Sequence, residues 1–133
     1  MIPKFRAWDS AKKEMFKDTF AITESGQVVV VEQESVASSS DYVFVDHLVI
    51  MQSTGLADKN GKEIFEGDIL ACKTDDEVIN LNIFWDEEHA LFMFESKKYN
   101  EQEPLAELVE NNTYPFEIIG NIYENPELLE DKE

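Results

Sequence analysis

The chain has 133 residues, of which 29 are acidic and 11 are basic, so its formal net charge at pH 7 is −18. This length fits one domain of ordinary size, which can bury roughly two thirds of its surface without a disulfide or a metal ion. With 43% hydrophobic residues, the composition is too apolar for a disordered chain. The charge argues against binding to nucleic-acid phosphates and to anionic membranes, because both repel an acidic protein. We therefore expect a folded acidic domain with no nucleic-acid or membrane partner.

The number of cysteines and the length of the apolar runs indicate the cellular compartment in which the protein is expected. Cys72 is the single cysteine, which excludes an internal disulfide framework. The N-terminus turns polar at once and lacks the apolar stretch of a signal peptide. The apolar runs at residues 28–31 and 48–51 are far shorter than the roughly 20 residues that a transmembrane helix needs. These features predict a cytoplasmic protein.

Charge is distributed unevenly along the chain. Residues 1–20 carry five basic and three acidic side chains, whereas residues 101–133 carry ten acidic side chains and one lysine. The acidic section either keeps the protein soluble as a solvated surface or forms a face for a basic partner. Both interpretations stay open.

In chain order, the first half of the sequence predicts a hairpin and two strands. Residues 5–8 alternate apolar with polar side chains and residues 14–16 resume an apolar run, which predicts an N-terminal hairpin. The β-branched run at residues 27–31 is typical of a strand covered on both faces. Residues 42–51 are largely apolar and predict a single long strand.

The second half contains the clearest alternation. Residues 78–85 predict a strand, residues 86–89 a turn, and residues 91–94 the returning strand of a hairpin. Residues 116–123 predict a last strand, in which Gly120 indicates a β-bulge or a close backbone approach. The alternating apolar side chains that we expect on one face of the first of these strands are Ile79, Leu81, Ile83 and Trp85.

Helix signals are few. Residues 103–110 place Pro104 near the first helical position and apolar residues at helical spacing. Residues 125–129 predict one turn of helix with Asn125 as its N-cap. Many strands with one or two short helices predict a mainly-β single domain, α+β at most, built as a small barrel or sandwich.

Residues 54–70 are rich in turn signals. Asn60-Gly61 is typical of a tight turn, because both residues tolerate positive φ. A calcium loop with this pair at its fifth and sixth positions would begin at Leu56 and end at Gly67, and neither has a side-chain oxygen to offer. The glycine and lysine spacing of a phosphate loop is also absent. We therefore interpret the segment as structural turns.

Four blocks of sequence stand out: KFRAWD at residues 4–9, MQSTGL at 51–56, DKNGKEIFEGDI at 58–69 and EIIGNIYENPEL at 117–128. Their composition and order resemble the YopX family of small proteins carried by bacteriophages and prophages. Phe65 stands where the family often has tyrosine. Residues 21–50 and 73–113 contain no matching block.

The resemblance implies a mainly-β fold with an SH3-like barrel element and additional strands or hairpins. It implies a phage or prophage context but no reaction, since the family is functionally uncharacterised. We expect one YopX-like domain over residues 1–133, with the hairpin at 1–20 as an appendage and a barrel core at about 48–124. An SH3-like element needs only about five strands. The apolar strands at 27–31 and 42–51 are therefore expected to pair elsewhere, which favours a homo-oligomer.

A search for catalytic, cofactor and metal-binding residues finds none. His47 and His89 are far apart in sequence, and with one cysteine they lack the short-spaced pairs of a zinc site, so we expect solvent-facing or satisfied core histidines. Cys72 is expected to be a small buried residue rather than a catalytic thiol. The carboxylates at residues 75–77 and 86–88 lie at predicted turns, where we expect no more than weak binding of Mg²⁺ or Ca²⁺.

Three functions remain open. The leading one is a non-enzymatic phage accessory protein that acts through protein–protein contacts, including contacts with copies of itself. The alternative is an acidic inhibitor or DNA mimic that occupies the basic groove of a host nucleic-acid enzyme, which the charge of −18 motivates. The third, with the least support, is a metal-assisted hydrolase that uses carboxylates in turns.

Overall fold

The computed structural model describes residues 4–16, 20–32, 41–45, 47–111 and 114–130. Most of these residues lie in β-strands, so the predicted mainly-β fold is confirmed. None of the helices in these ranges is long and apolar enough to span a membrane. The elements are β1 (Phe5–Asp9), β2 (Glu14–Phe16), β3 (Phe20–Ile22), β4 (Val28–Glu32), β5 (Asp41–Val45), β6 (Leu48–Ala57), β7 (Glu63–Phe65), β8 (Asp68–Lys73), β9 (Val78–Asp86), β10 (Leu91–Ser96), β11 (Glu101–Pro104), α1 (Leu105–Asn111), β12 (Phe116–Asn121) and a 3-10 helix (Pro126–Leu129).

The chain divides into two compact units. The N-terminal unit comprises Phe5–Met51, and the C-terminal unit comprises Met1–Lys4 together with Gln52–Glu133. Negative charge is concentrated in the C-terminal unit, whose residues include 21 acidic and seven basic side chains. Each unit has its own cluster of buried apolar side chains.

The N-terminal unit is built from short antiparallel strands. β1 pairs with β2, which confirms the predicted hairpin; residues 1–3 and 17–19 of the predicted segment lie outside the described residues. β4 confirms the strand predicted at 27–31 and is the central strand of the sheet β3-β4-β5. Ala7, Val28 and Leu48 form the buried centre of the unit.

The single strand predicted at residues 42–51 is wrong. β5 ends at Val45 and β6 begins at Leu48, with His47 in a bend between them. The backbone C=O of His47 accepts a hydrogen bond from the hydroxyl of Ser10 at 3.1 Å, and the imidazole lies 3.3 Å from a carboxylate oxygen of Asp9. These polar contacts hold His47 in a bend, so the apolar run is divided between two strands.

The C-terminal unit contains a five-stranded antiparallel sheet in the order β11-β10-β9-β8-β12. Leu81 of β9 pairs with Leu70 of β8, and Ile83 of β9 pairs with Phe94 of β10. This register puts apolar side chains of neighbouring strands on one face. The buried residues of the resulting core are Ile64, Leu70, Cys72, Leu81, Ile83, Leu105 and Phe116.

The predicted alternation along β9 is confirmed except at its end. Leu81 and Ile83 are almost fully buried, and Ile79 packs against the same core. Trp85, which the alternation assigns to this face, is 38% exposed. It is the last residue but one of β9, next to the turn that leads into β10.

The predicted helix at 103–110 starts later than expected. Pro104 ends the edge strand β11, and α1 begins at Leu105, which is fully buried. Leu108 and Val109 pack against the core beside it, so the helical spacing of apolar residues is confirmed. β11 was missed because its Glu-Gln-Glu-Pro sequence has no apolar alternation; an edge strand tolerates proline because one side is unpaired.

The last strand contains the predicted irregularity. The register of β12 against β8 shifts between Ile118 and Gly120, which confirms the bulge. Asn125 occupies the predicted N-cap position of the 3-10 helix, although its side chain makes no capping hydrogen bond there. Its Oδ1 instead accepts a hydrogen bond from the backbone N–H of Asn121 at 3.2 Å.

Candidate functional site

Asp58 joins the Asn60-Gly61 turn to strand β12. Its Oδ1 accepts hydrogen bonds from the backbone N–H groups of Asn60 and Lys62, both at 2.9 Å, and its Oδ2 accepts one from Ile118 at 3.0 Å. Burial raises the pKa of Asp58, but these three hydrogen bonds outweigh it, so the pKa lies below its ordinary value. Gly61 takes φ 78°, as the tight turn requires. The carboxylate is therefore part of the architecture of the turn.

Asp9 has the corresponding role in the N-terminal unit. Its Oδ1 accepts hydrogen bonds from the N–H groups of Lys12 and Ala11 at 3.0 and 2.9 Å, and lies 3.3 Å from Nε2 of His47. The hydrogen bond from Lys12 contributes most to lowering the pKa of Asp9, against the opposing effect of burial. His47, whose side chain is 41% exposed, thus contacts a carboxylate that is itself engaged in the turn.

The turn between β9 and β10 brings three metal-ligating side chains together. Asp86, Glu88 and His89 each offer a ligand atom, and these atoms lie within 4.8 Å of one another. Nδ1 of His89 lies 2.7 Å from Oδ2 of Asp86, and this hydrogen bond lowers the pKa of Asp86. The sequence prediction named residues 86–88; the structure adds His89 and leaves Glu87 outside the group.

The other predicted carboxylate cluster, at residues 75–77, does not converge on a single point. Glu77 binds the ammonium of Lys98 and the hydroxyl of Tyr99. The hydrogen bond from Lys98 is the main cause of a lowered pKa at Glu77. Asp75 and Asp76 remain exposed.

A groove of about 190 Å³ lies between the start of β9 and the 3-10 helix. The side-chain amide of Asn80 donates a hydrogen bond to the backbone C=O of Leu128 at 2.9 Å, which holds the 3-10 helix against β9. Charges of both signs line the groove. Its lining residues are Val78, Ile79, Asn80, Lys97, Lys98, Leu128, Leu129 and Glu130.

An exposed aromatic side chain adjoins the acidic turn. Trp85 packs edge-to-face on Phe92 of the neighbouring strand, with ring centroids 4.9 Å apart and an interplanar angle of 66°. Asp86, Glu87 and Glu88 follow Trp85 directly. The alternation along β9 assigned Trp85 to the core and so gave no sign of this surface; the acidic turn right after Trp85 was the available signal.

Cys72 is expected to react slowly with thiol reagents in the folded protein. Its side chain is buried in the core, and burial raises the pKa of the thiol, so little thiolate is present or accessible. We expect the reaction with a chromogenic disulfide reagent to be at least on the order of 100-fold slower in native buffer than in concentrated urea. Equal rates in the two conditions would contradict the buried position.

Known proteins resemble this chain in sequence and in fold. Comparison with the curated proteins finds no match. The crystal structure of protein EF1440 from Enterococcus faecalis is 32% identical over 98% of this chain and 99% of that one, with a TM-score of 0.60. The crystal structure of protein yopX from Bacillus subtilis is 19% identical over 95% and 97% of the two chains, with a TM-score of 0.67, a likeness of fold. A family model described as YopX protein matches residues 4–130, and the chain therefore belongs to the YopX family.

Proposed function

We propose that this YopX-family protein is a non-enzymatic accessory protein of a phage or prophage that acts through protein–protein contacts and assembles with itself. The observation that carries the proposal is the position of β5 at the edge of the sheet β3-β4-β5. Its sequence from residue 42 to residue 45 is Tyr-Val-Phe-Val, with no charge and no proline. Apart from Asp41 at its start, β5 therefore lacks the charges and prolines that keep an edge strand from pairing with another chain.

Self-pairing of β5 about a two-fold axis would extend the sheet and close after two copies. An isologous contact of this kind covers the β5 edge of both copies at once, so no β5 edge is left open for a third copy. The net charge of −18 adds repulsion between copies, which opposes growth beyond a closed assembly.

The use of carboxylates supports a role without catalysis. Asp9 and Asp58 are both almost fully buried and accept several backbone hydrogen bonds, so their oxygens are engaged in turns. Asp86 accepts hydrogen bonds from the N–H of Glu88 and from His89 in the same way. Groups that build turns are poorly placed to transfer protons to a substrate.

Val45→Lys is expected to weaken self-association. A lysine on an edge strand discourages pairing, because its charge would be desolvated against a second copy. Val78→Lys is the matched control: it makes the same substitution at a 54% exposed valine of β9. Light scattering coupled to size exclusion measures the mass of each variant over a tenfold range of concentration. A wild-type mass of one chain throughout this range, at moderate salt, would contradict the proposal.

A second candidate is the acidic inhibitor that occupies a basic groove of a host nucleic-acid enzyme. It is favoured by the excess of 14 acidic over basic residues in the C-terminal unit. Exposed carboxylates continue from the edge strand β11 onto α1. They belong to Glu101, Glu103, Glu107 and Glu110.

A further inference from the structure

We infer that the tip of the β9–β10 hairpin docks onto a basic protein surface that presents arginine side chains. The hairpin tip is here Trp85, Asp86, Glu87, Glu88 and Phe92. The inference rests on the second candidate function, for which it names the anchoring site and the chemistry of the partner. It is independent of self-association through β5.

Trp85 has the properties of an interface anchor. It is 38% exposed, whereas Ile83, two residues before it on the same face, is 1% exposed. Phe92 packs against the core and against the ring of Trp85, with centroids 4.9 Å apart. The exposed ring is therefore held by a rigid neighbour, so little side-chain freedom is lost on binding.

Among the carboxylates next to Trp85, that of Asp86 is held in position by hydrogen bonds. Oδ1 of Asp86 accepts a hydrogen bond from the N–H of Glu88 at 3.0 Å, and Oδ2 lies 2.7 Å from His89. Glu87 and Glu88 are exposed. Residues 85–92 contain no lysine or arginine, so nothing within this segment neutralises the three carboxylates permanently.

Arginine is the side chain that fits this combination. Its planar guanidinium stacks on an indole ring and can donate hydrogen bonds to a carboxylate from the same position. A lysine ammonium is a strongly hydrated point charge and has no plane to stack. The charge of the C-terminal unit favours approach of a basic surface at long range and repels nucleic acid.

The test uses the full chain and a fluorescent oligoarginine peptide as the probe, with an oligolysine peptide of the same length for comparison. Fluorescence anisotropy is measured at about 0.1 M salt, where surface charges beyond roughly 10 Å are screened. A chelator is present throughout, so that a metal ion at Asp86 and His89 does not contribute. We expect the oligoarginine peptide to bind more tightly than the oligolysine peptide.

Trp85→Ala is expected to weaken binding of the oligoarginine peptide by about five- to tenfold, because the stacking surface is lost. Tyr114→Ala is the control for the loss of an exposed ring, since Tyr114 is 37% exposed at another position. We expect its effect to be less than about twofold. Circular dichroism checks that each variant is folded.

Two charge-reversal pairs give a second test that does not depend on Trp85. Glu87→Lys with Glu88→Lys changes the hairpin tip, and Asp75→Lys with Asp76→Lys makes the same change of net charge in the turn before β9. All four residues are exposed, so both variants are expected to fold. The tip pair should weaken binding at least about threefold more than the control pair.

The outcomes separate the inference from the function on which it rests. Equal losses from the two charge-reversal pairs, or unchanged affinity in a folded Trp85→Ala, would overturn the docking site and leave acidic binding in place. Absence of oligoarginine binding by the wild-type protein would overturn both.

Discussion

Replacing Asp58 with alanine is expected to lower the free energy of unfolding by about 3–4 kcal/mol. The carboxylate accepts hydrogen bonds from the N–H groups of Asn60, Lys62 and Ile118, and the residue is only 7% exposed. Alanine has no side-chain acceptor, so all three donors lose their partner: the N–H of Ile118 in half-buried β12, and those of Asn60 and Lys62 in the exposed turn. Urea unfolding followed by circular dichroism measures the change.

Two further variants test this role of Asp58: Asp58→Asn is a partial replacement, and Asp75→Ala is the control. Asparagine retains one side-chain oxygen, which can accept the two hydrogen bonds from the turn that Oδ1 of Asp58 accepts. We therefore expect Asp58→Asn to lower the free energy of unfolding by about half as much as Asp58→Ala. Asp75 is an exposed carboxylate in another turn, and its removal should change stability by less than about 0.5 kcal/mol. If Asp58→Ala were as stable as Asp75→Ala, the assigned role would be wrong.

The contribution of Asp58 should also depend on pH. Its pKa in the folded protein lies below the ordinary value of 3.8, so the folded state favours the ionised form. The resulting stabilisation is complete above the pKa of the unfolded chain and is lost as the pH falls through the lower pKa of the folded protein. The difference in unfolding free energy between wild type and Asp58→Asn should therefore be constant near neutrality and shrink below about pH 4.

Gly120→Ala is expected to destabilise the protein by about 2–3 kcal/mol. A Cβ atom on Gly120 would lie 2.8 Å from Cγ and 3.0 Å from Cβ of Asn125, and closer still to its Oδ1. The Asn125 side chain would have to move, and its hydrogen bond from the N–H of Asn121 would break. Gly120 does not have a positive φ, so the cause is the close approach rather than backbone strain.

A double-mutant cycle with Asn125→Gly isolates this steric cause. Asn125→Gly removes all three atoms that the new Cβ would meet. In the Asn125→Gly background, we expect Gly120→Ala to lower the free energy of unfolding by less than about 1 kcal/mol. The cycle then gives a large coupling energy between residues 120 and 125, which are in contact. Additive effects of the two substitutions would show that the close approach is not the source of the destabilisation.

Local patterns predicted the parts of the fold that local interactions control. Strand β9 followed from the alternation of Leu81 and Ile83, because side chains two residues apart lie on the same face of a strand. The Asn60-Gly61 turn was predicted from the tolerance of both residues for positive φ, and in the structure Gly61 is the one that takes it. The apolar spacing in α1 correctly identified the side of the helix that packs on the core.

The predictions that failed depended on residues distant in sequence. The apolar run at residues 42–51 is divided because His47 contacts Ser10 and Asp9, which lie more than 30 positions earlier in the chain. β11 has no apolar alternation of its own and is a strand because β10 pairs with it. The sequence pattern around each segment carried no sign of these partners.

The sequence by itself determined that this is an acidic, mainly-β member of the YopX family, since composition, strand periodicity and the order of its short blocks are properties of the chain as written. Tertiary structure alone decided the roles of individual polar and aromatic side chains. Asp58 became an anchor because β12 brings the N–H of Ile118 within 3.0 Å of it, across 60 positions of sequence. Trp85 is 38% exposed although Phe92, its partner on β10, packs against the core. Burial and hydrogen bonding depend on which distant segments come together, and that is a property of the folded chain.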